Sequence, residues 1–213
     1  MLLCLVLVSA SVAEILTTAT PMGQGKWGVE GVYMLDSNFA NVSNYSLASI
    51  GGYVAYGITS MLDIYLNLGS STANGLPSGV ESSVLGYGPT LKYCILQEGK
   101  TLPVSVAVAA GYKVLSSKMK SPLGDTTASG SQIAAGFGVS KMIIPFIPYA
   151  GVIYRSTTIS GGDGTQIDAT VGTAVAWSEQ GAVLIEYTLQ SITPKGGANY
   201  SSGQISAGVG YTL

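Results

Sequence analysis

The sequence contains no histidine, and only 9% of its 213 residues are charged. A typical soluble domain carries about 25%. Histidine is the usual proton carrier near neutral pH. Its absence excludes a Ser–His or Asp–His catalytic pair and any zinc site that uses imidazole. A Ser–Lys pair or a carboxylate pair stays chemically open, but no spacing of serines, lysines or acids singles one out. The expectation is a protein that is not an enzyme and holds neither metal nor cofactor. Cysteine is scarce as well: only Cys4 and Cys94 are present. No run of about 18 apolar residues occurs, which argues against transmembrane helices, although the mean hydropathy is positive. The net charge of −2 leaves no basic footprint for a nucleic-acid partner.

What is abundant is glycine, with 29 residues, and alternation. The first residues, MLLCLVLVSASVAE, read as a signal peptide over 1–13: an apolar run from Leu2 to Val8, then the small residues Ser11-Val12-Ala13 before Glu14. Cleavage there removes Cys4, so no internal disulfide remains possible. Residues 14–25 then form a periplasmic N-terminal segment, and 26–213 form the main domain. In LDIYLNLGSS (62–71), Leu62, Ile64, Leu66 and Leu68 alternate with Asp63, Tyr65, Asn67 and Gly69, the period of a strand with one apolar and one polar face. Ten segments alternate in this way: 26–36, 46–58, 62–69, 82–95, 103–115, 131–142, 149–159, 165–177, 182–191 and 203–213. Each is close to the nine to eleven residues, roughly, that a tilted membrane-spanning strand needs. Odd-numbered joins such as 37–45, 70–81, 116–130 and 192–202 are mostly longer and polar, and even-numbered ones are shorter. That pattern predicts a ten-stranded antiparallel transmembrane β-barrel with short periplasmic turns and longer extracellular loops.

Parity decides which face is which. One face carries Val104, Val106, Val108 and Tyr112, then Ile167, Val171 and Val175, then Ile205, Val209 and Leu213. The other carries Ser105, Gly111 and Lys113, then Gln166, Asp168 and Thr170, then Gln204, Ser206 and Gly208. A soluble sandwich needs its large side chains inside. Here the polar face also holds the small residues, which suits a crowded barrel interior and favours some water-filled space. The large apolar face is therefore predicted to meet outer-membrane lipid. Trp27, Tyr56, Tyr93, Trp177 and Tyr211 share outward parity near the turn-side strand ends. Tyr33, Tyr87, Tyr112 and Tyr154 share it toward the loop side. Two aromatic girdles at the two interfaces are expected. Pro89 removes a ladder donor and predicts a bulge, and Pro148 predicts a strand start.

The closing QISAGVGYTL, with Tyr211 and Leu213 in alternation, resembles the last strand of bacterial outer-membrane barrels, although it ends in Leu rather than Phe. As architecture the ten strands resemble the small opacity-type and outer-membrane beta-barrel domain families. The resemblance implies recognition of the C-terminal strand by the barrel assembly machinery.

By parity Glu30, Asp63, Lys92, Lys113, Arg155, Asp168 and Glu186 point into the lumen. A hairpin tip at Gly161-Gly162 would place Arg155 opposite Asp168, a charge-assisted pair. Lys92 comes within reach of Asp63. Glu30 and Glu186 flank Gly208 with no adjacent basic partner, so they are the expected sign-setting groups of a cation-favouring pore. Two functions follow. One is a narrow porin-like channel for ions or small polar solutes. The alternative is a non-conducting structural or surface-interaction barrel acting through its extracellular loops. The channel is the first reading, and low strand number argues against a wide pore, since clear aqueous channels belong to barrels of about 16–18 strands.

Overall fold

The computed structural model describes residues 18–37, 45–99, 102–160 and 162–213. The predicted signal peptide and most of the 37–45 loop lie outside them. The described residues contain ten strands: β1 (Trp27–Ser37), β2 (Ser46–Gly57), β3 (Leu62–Asn74), β4 (Glu81–Leu96), β5 (Ser105–Lys120), β6 (Thr126–Ser140), β7 (Phe146–Ile159), β8 (Gly162–Ala176), β9 (Gly181–Pro194) and β10 (Tyr200–Thr212). Each pairs antiparallel with its sequence neighbours, and β1 pairs with β10 from Gly28↔Thr212 to Ser37↔Gly203. The sheet closes with no free edge, the condition for placing strands in lipid.

The outward faces follow the predicted parity. Leu66 is 63% exposed and Ile64, Leu68, Ile133, Val171, Ile185 and Ile205 are exposed with it. The buried faces alternate with them, as on β3, where Asp63, Tyr65, Asn67 and Gly69 are buried between the exposed Ile64, Leu66 and Leu68. Both predicted girdles face outward: Trp27, Tyr33, Tyr87, Tyr93, Tyr112, Tyr154, Trp177 and Tyr211 are exposed. Tyr56 is half-buried because it packs against Trp27, ring centroids 4.7 Å apart. Tyr187, exposed on β9, joins the loop-side girdle.

The loop side differs from expectation. Its joins among the described residues are short: 75–80, 121–125 and 195–199, against 58–61, 97–104, 141–145 and 177–180 on the turn side. Residues predicted as long loops continue the ladder, with Glu81↔Lys120, Lys118↔Thr127 and Ser201↔Ser191 still paired. A tilted strand advances about 2.5 Å along the barrel axis per residue, so an apolar band of about 25 Å uses roughly ten residues. β4 and β5 have 16 residues each and must project past the lipid on that side.

In this projecting collar the chemistry of the two faces inverts. Outward positions become Ser70, Thr72 and Asn74 on β3, Ser156 and Thr158 on β7, and Ser191 and Thr193 on β9. The outward charges Glu81, Lys118, Lys120 and Asp163 are all here, with Lys120–Glu81 at 3.2 Å and Lys195–Asp163 at 3.3 Å. Many inward positions become apolar: Leu47, Ala73, Val84, Leu115, Ala128, Ile159 and Ile192, closed over by Tyr45 and Tyr200, with Asp36, Ser71, Ser82, Ser117 and Ser202 buried among them. Water around the collar makes an apolar interior favourable, as it does in any soluble barrel.

Two local expectations need correction. Register is unbroken across Pro89, which lies on the exposed face opposite Leu66. The neighbouring Gly88 explains why the strands stay close: a Cβ there would strike the Tyr112 carbonyl oxygen. The register shift of β4 is instead at Cys94/Leu96. Pro148 is the third residue of β7, not its first.

Candidate functional site: the barrel lumen

The lumen has three levels. Furthest toward the loop side is the apolar cap of Leu47, Leu115, Ile192 and their neighbours, with Leu47, Leu115 and Ile192 fully buried. The predicted small-residue, water-filled interior does not extend here.

Below the cap lies a packed polar layer. Arg155 and Asp168 are both 0% exposed and joined by Arg155 Nε–Asp168 Oδ2 at 2.7 Å. The pair is the predicted one, but the predicted register is not. Arg155 faces Gln166, and Asp168 faces Ile153. Gly162 already pairs with Ile159, so the hairpin is centred one residue earlier than expected and each partner shifts by two. Arg155 reaches its carboxylate diagonally, which a long side chain can do. Gln166 Nε2 donates to the other Asp168 oxygen at 2.7 Å. Around them Gln132 Nε2 donates to Thr157 Oγ1 at 3.0 Å, Thr170 and Thr188 share a hydroxyl bond of 2.7 Å, and Asn67 Nδ2 donates to Thr90 Oγ1 at 3.1 Å. Lys113 is buried beside them, opposite Gln132. Asp36, missed by the inward count of charges, is 1% exposed and accepts from Gln204 Nε2 at 3.2 Å.

The turn-side end is a vestibule, a cavity of about 380 Å³. Glu30, Tyr53, Tyr65 and Lys92 line it, and it opens among the turn residues Ser178–Gln180. Tyr53 Oη donates to Glu30 Oε2 at 2.7 Å, and Tyr149 Oη donates to Glu186 Oε2 at 2.9 Å. The two expected sign-setting carboxylates are thus each held by a phenol. Neither tyrosine was singled out from the sequence, although both have inward parity. Gly210 and Ser206 of β10 stand beside Glu30 and Glu186, with Gly208 between. Asp63 and Lys92 face each other as predicted, with Lys92 Nζ 3.4 Å from Asp63 Oδ2 and 5.1 Å from the Tyr65 ring centre. Tyr53 meets Tyr65 edge-on at 5.0 Å.

The mouth of the vestibule is crossed by residues 18–22, which precede β1. Lys92 Nζ donates to the carbonyls of Thr18 (3.2 Å) and Thr20 (3.1 Å). The Asp63 carboxylate accepts from Met22 N, at 3.1 Å to Oδ2. Ala19 N donates to Ser140 Oγ at 3.1 Å, and Ala19 is 2% exposed. Thr20 Oγ1 also lies 3.4 Å from Ser140 Oγ. The sequence carries no periodic signal for this segment, and most of its hydrogen bonds are made by backbone atoms, which residue identity does not announce.

No family model matches the chain, and no curated protein matches it. Its likeness is to solved barrels. The transport unit of the autotransporter AIDA-I from Escherichia coli superposes with a TM-score of 0.53 at 10% identity, over 96% of this chain and 94% of that one. The translocator domain of the autotransporter NalP from Neisseria meningitidis gives 0.52 at 14% identity, over 97% and 92%. The outer membrane protease OmpT from Escherichia coli gives 0.48 at 11% identity, over 89% and 97%. The fold is that of bacterial outer-membrane β-barrels.

Proposed function

We propose that this chain is an outer-membrane barrel that passes no solute at rest: a capped, membrane-anchored scaffold, not an open porin. The observation that carries the reading is the apolar cap of Leu47, Val84, Leu115, Ile159, Ile192 and Tyr200. An ion crossing it would exchange its hydration for a mostly aliphatic surround in which the hydroxyls of Ser71, Ser117, Tyr45 and Tyr200 and the Asp36 carboxylate are the polar groups beside the cluster, a barrier of the kind a hydrophobic constriction makes. The polar layer beneath supports the same reading, since Arg155, Lys113, Gln132, Gln166, Gln190 and Gln204 fill the lumen there. The scaffold's outer end is then a stiff collar of Ser, Thr and Gly with short joins. Any surface partner meets β-structure and not long loops. Lipid contacts the belt, and β10 with its Tyr211 is the strand offered to the assembly machinery. The absence of histidine supports a role without catalysis.

The test is purified, folded protein in planar bilayers. The expected record shows no unitary steps above the lipid baseline. Reproducible steps from protein whose folding is verified by its heat-dependent gel mobility would sink the reading. A second reading is favoured by one observation, the vestibule lined by Glu30 with Glu186 nearby. Under it the barrel conducts narrowly and prefers cations, and Glu30→Gln with Glu186→Gln moves the reversal potential toward zero selectivity.

A further inference from the structure

Residues 18–22 are held by a site with a recognisable logic. The chain bends at Ala19 and Thr20, and the bend brings several backbone groups onto three side chains. The carbonyls of Thr18 and Thr20 and the N–H of Met22 meet the Lys92–Asp63 pair. The N–H of Ala19 donates to Ser140 Oγ. A cation reads carbonyls, an anion reads an N–H, and a hydroxyl takes a second N–H. One side-chain contact accompanies these four backbone ones, Thr20 Oγ1 to Ser140 Oγ at 3.4 Å.

The segment is also built to leave. Pro21 has no N–H and cannot join a ladder. Gly23 and Gly25 have φ of 93° and 79°, a left-handed conformation open to glycine without strain. The base of the segment is fixed beside β2, by Gly25 N to Gly57 O at 2.8 Å and Gly57 N to Lys26 O at 2.9 Å. Residues 18–22 are therefore tethered through Gly23 and held by the side chains of Asp63, Lys92 and Ser140. Thr18, Thr20, Pro21 and Met22 form part of the wall of the vestibule that Glu30, Tyr53 and Tyr65 line from inside.

We propose that Asp63, Lys92 and Ser140 form a site that reads mainly the backbone of a short bent peptide, filled in cis by Thr18–Met22, which acts as a displaceable strap over the vestibule. The proposal is independent of whether the opposite end conducts. A peptide of the same length supplied from outside competes for the same three groups.

The test uses the full chain with Cys4 and Cys94 changed to Ala and Ala19→Cys as the single thiol, labelled in detergent by a bulky maleimide. The expected rate is slow in this parent. It rises about tenfold or more in Asp63→Asn/Lys92→Met, the effect of losing charge-assisted hydrogen bonds. The double change leaves neither charge stranded, and gel mobility verifies folding. Ser140→Ala, a milder change, gives a smaller rise in the same direction. Millimolar acetyl-Thr-Ala-Thr-Pro-Met-amide speeds labelling of the parent. Equal rates in parent and latch variants overturn the strap. A peptide without effect at any concentration overturns the backbone-reading site.

Discussion

Arg155→Met alone is expected to destabilise the folded barrel by about 3–5 kcal/mol, because it takes the cation from a buried carboxylate. The Asp168 carboxylate is fully buried, with Arg155 on one oxygen and Gln166 on the other. Removing that cation takes a charge-assisted hydrogen bond from Asp168 in a packed layer that water does not reach. Removing the pair and its amide together, as Arg155→Met/Gln166→Leu/Asp168→Leu, takes away the buried carboxylate along with these partners, and buried pairs replaced by apolar side chains are often neutral in stability. The triple variant is therefore expected to be more stable than the single one. Urea midpoints of the barrel in liposomes, with the heat-dependent shift on gels, order the three proteins. A harmless Arg155→Met would mean that the pair does not hold β7 to β8.

The second large effect concerns where lipid ends. Leu66→Arg, near the middle of the outward belt, is expected to cost about 2–4 kcal/mol, the penalty for a cation at the bilayer midplane. Thr72→Arg lies on the same outward face of the same strand and is expected to cost almost nothing, because the collar stands in water. Trp27 and Trp177, both exposed at the turn-side interface, report unfolding by fluorescence in each case. Equal penalties at positions 66 and 72 would place the collar inside the membrane and remove the physical reason for its apolar cap.

Strand number, order, parity and girdles were legible because a lipid-facing strand must alternate in side-chain chemistry. The collar was not, and the reason is visible in β3. From Leu62 to Leu68 the outward residues are apolar, but Ser70 and Thr72 keep the strand going with polar ones while Ala73 turns apolar inward. Read as composition, SSTANG is a loop. As backbone it still pairs, Ser71 with Ser49 and with Val84. The register error at GGDG has the same origin: Gly162–Gly164 looks like a turn but extends the ladder of β8. Among the lumen residues, the charged ones were found by parity. Tyr53 and Tyr149 were overlooked because the lumen was read for its charged side chains alone, whereas a phenol inside the barrel is a hydrogen-bond donor for a carboxylate.

The cap has a kinetic consequence. Its side chains come from β2, β3, β4, β5, β6, β7, β9 and β10, so no single hairpin owns it. A chain with its early strands paired but β10 still absent holds only part of that cluster, and Tyr200 arrives with the last strand. Burial of Leu47 against Ile192 and Tyr200 is thus gained at ring closure, late and all at once. Such a barrel is expected to assemble and come apart cooperatively, with seam closure between β1 and β10 as the step that locks it. A nick in one collar join then leaves the pieces together, since each still contributes to a core that the others cannot complete.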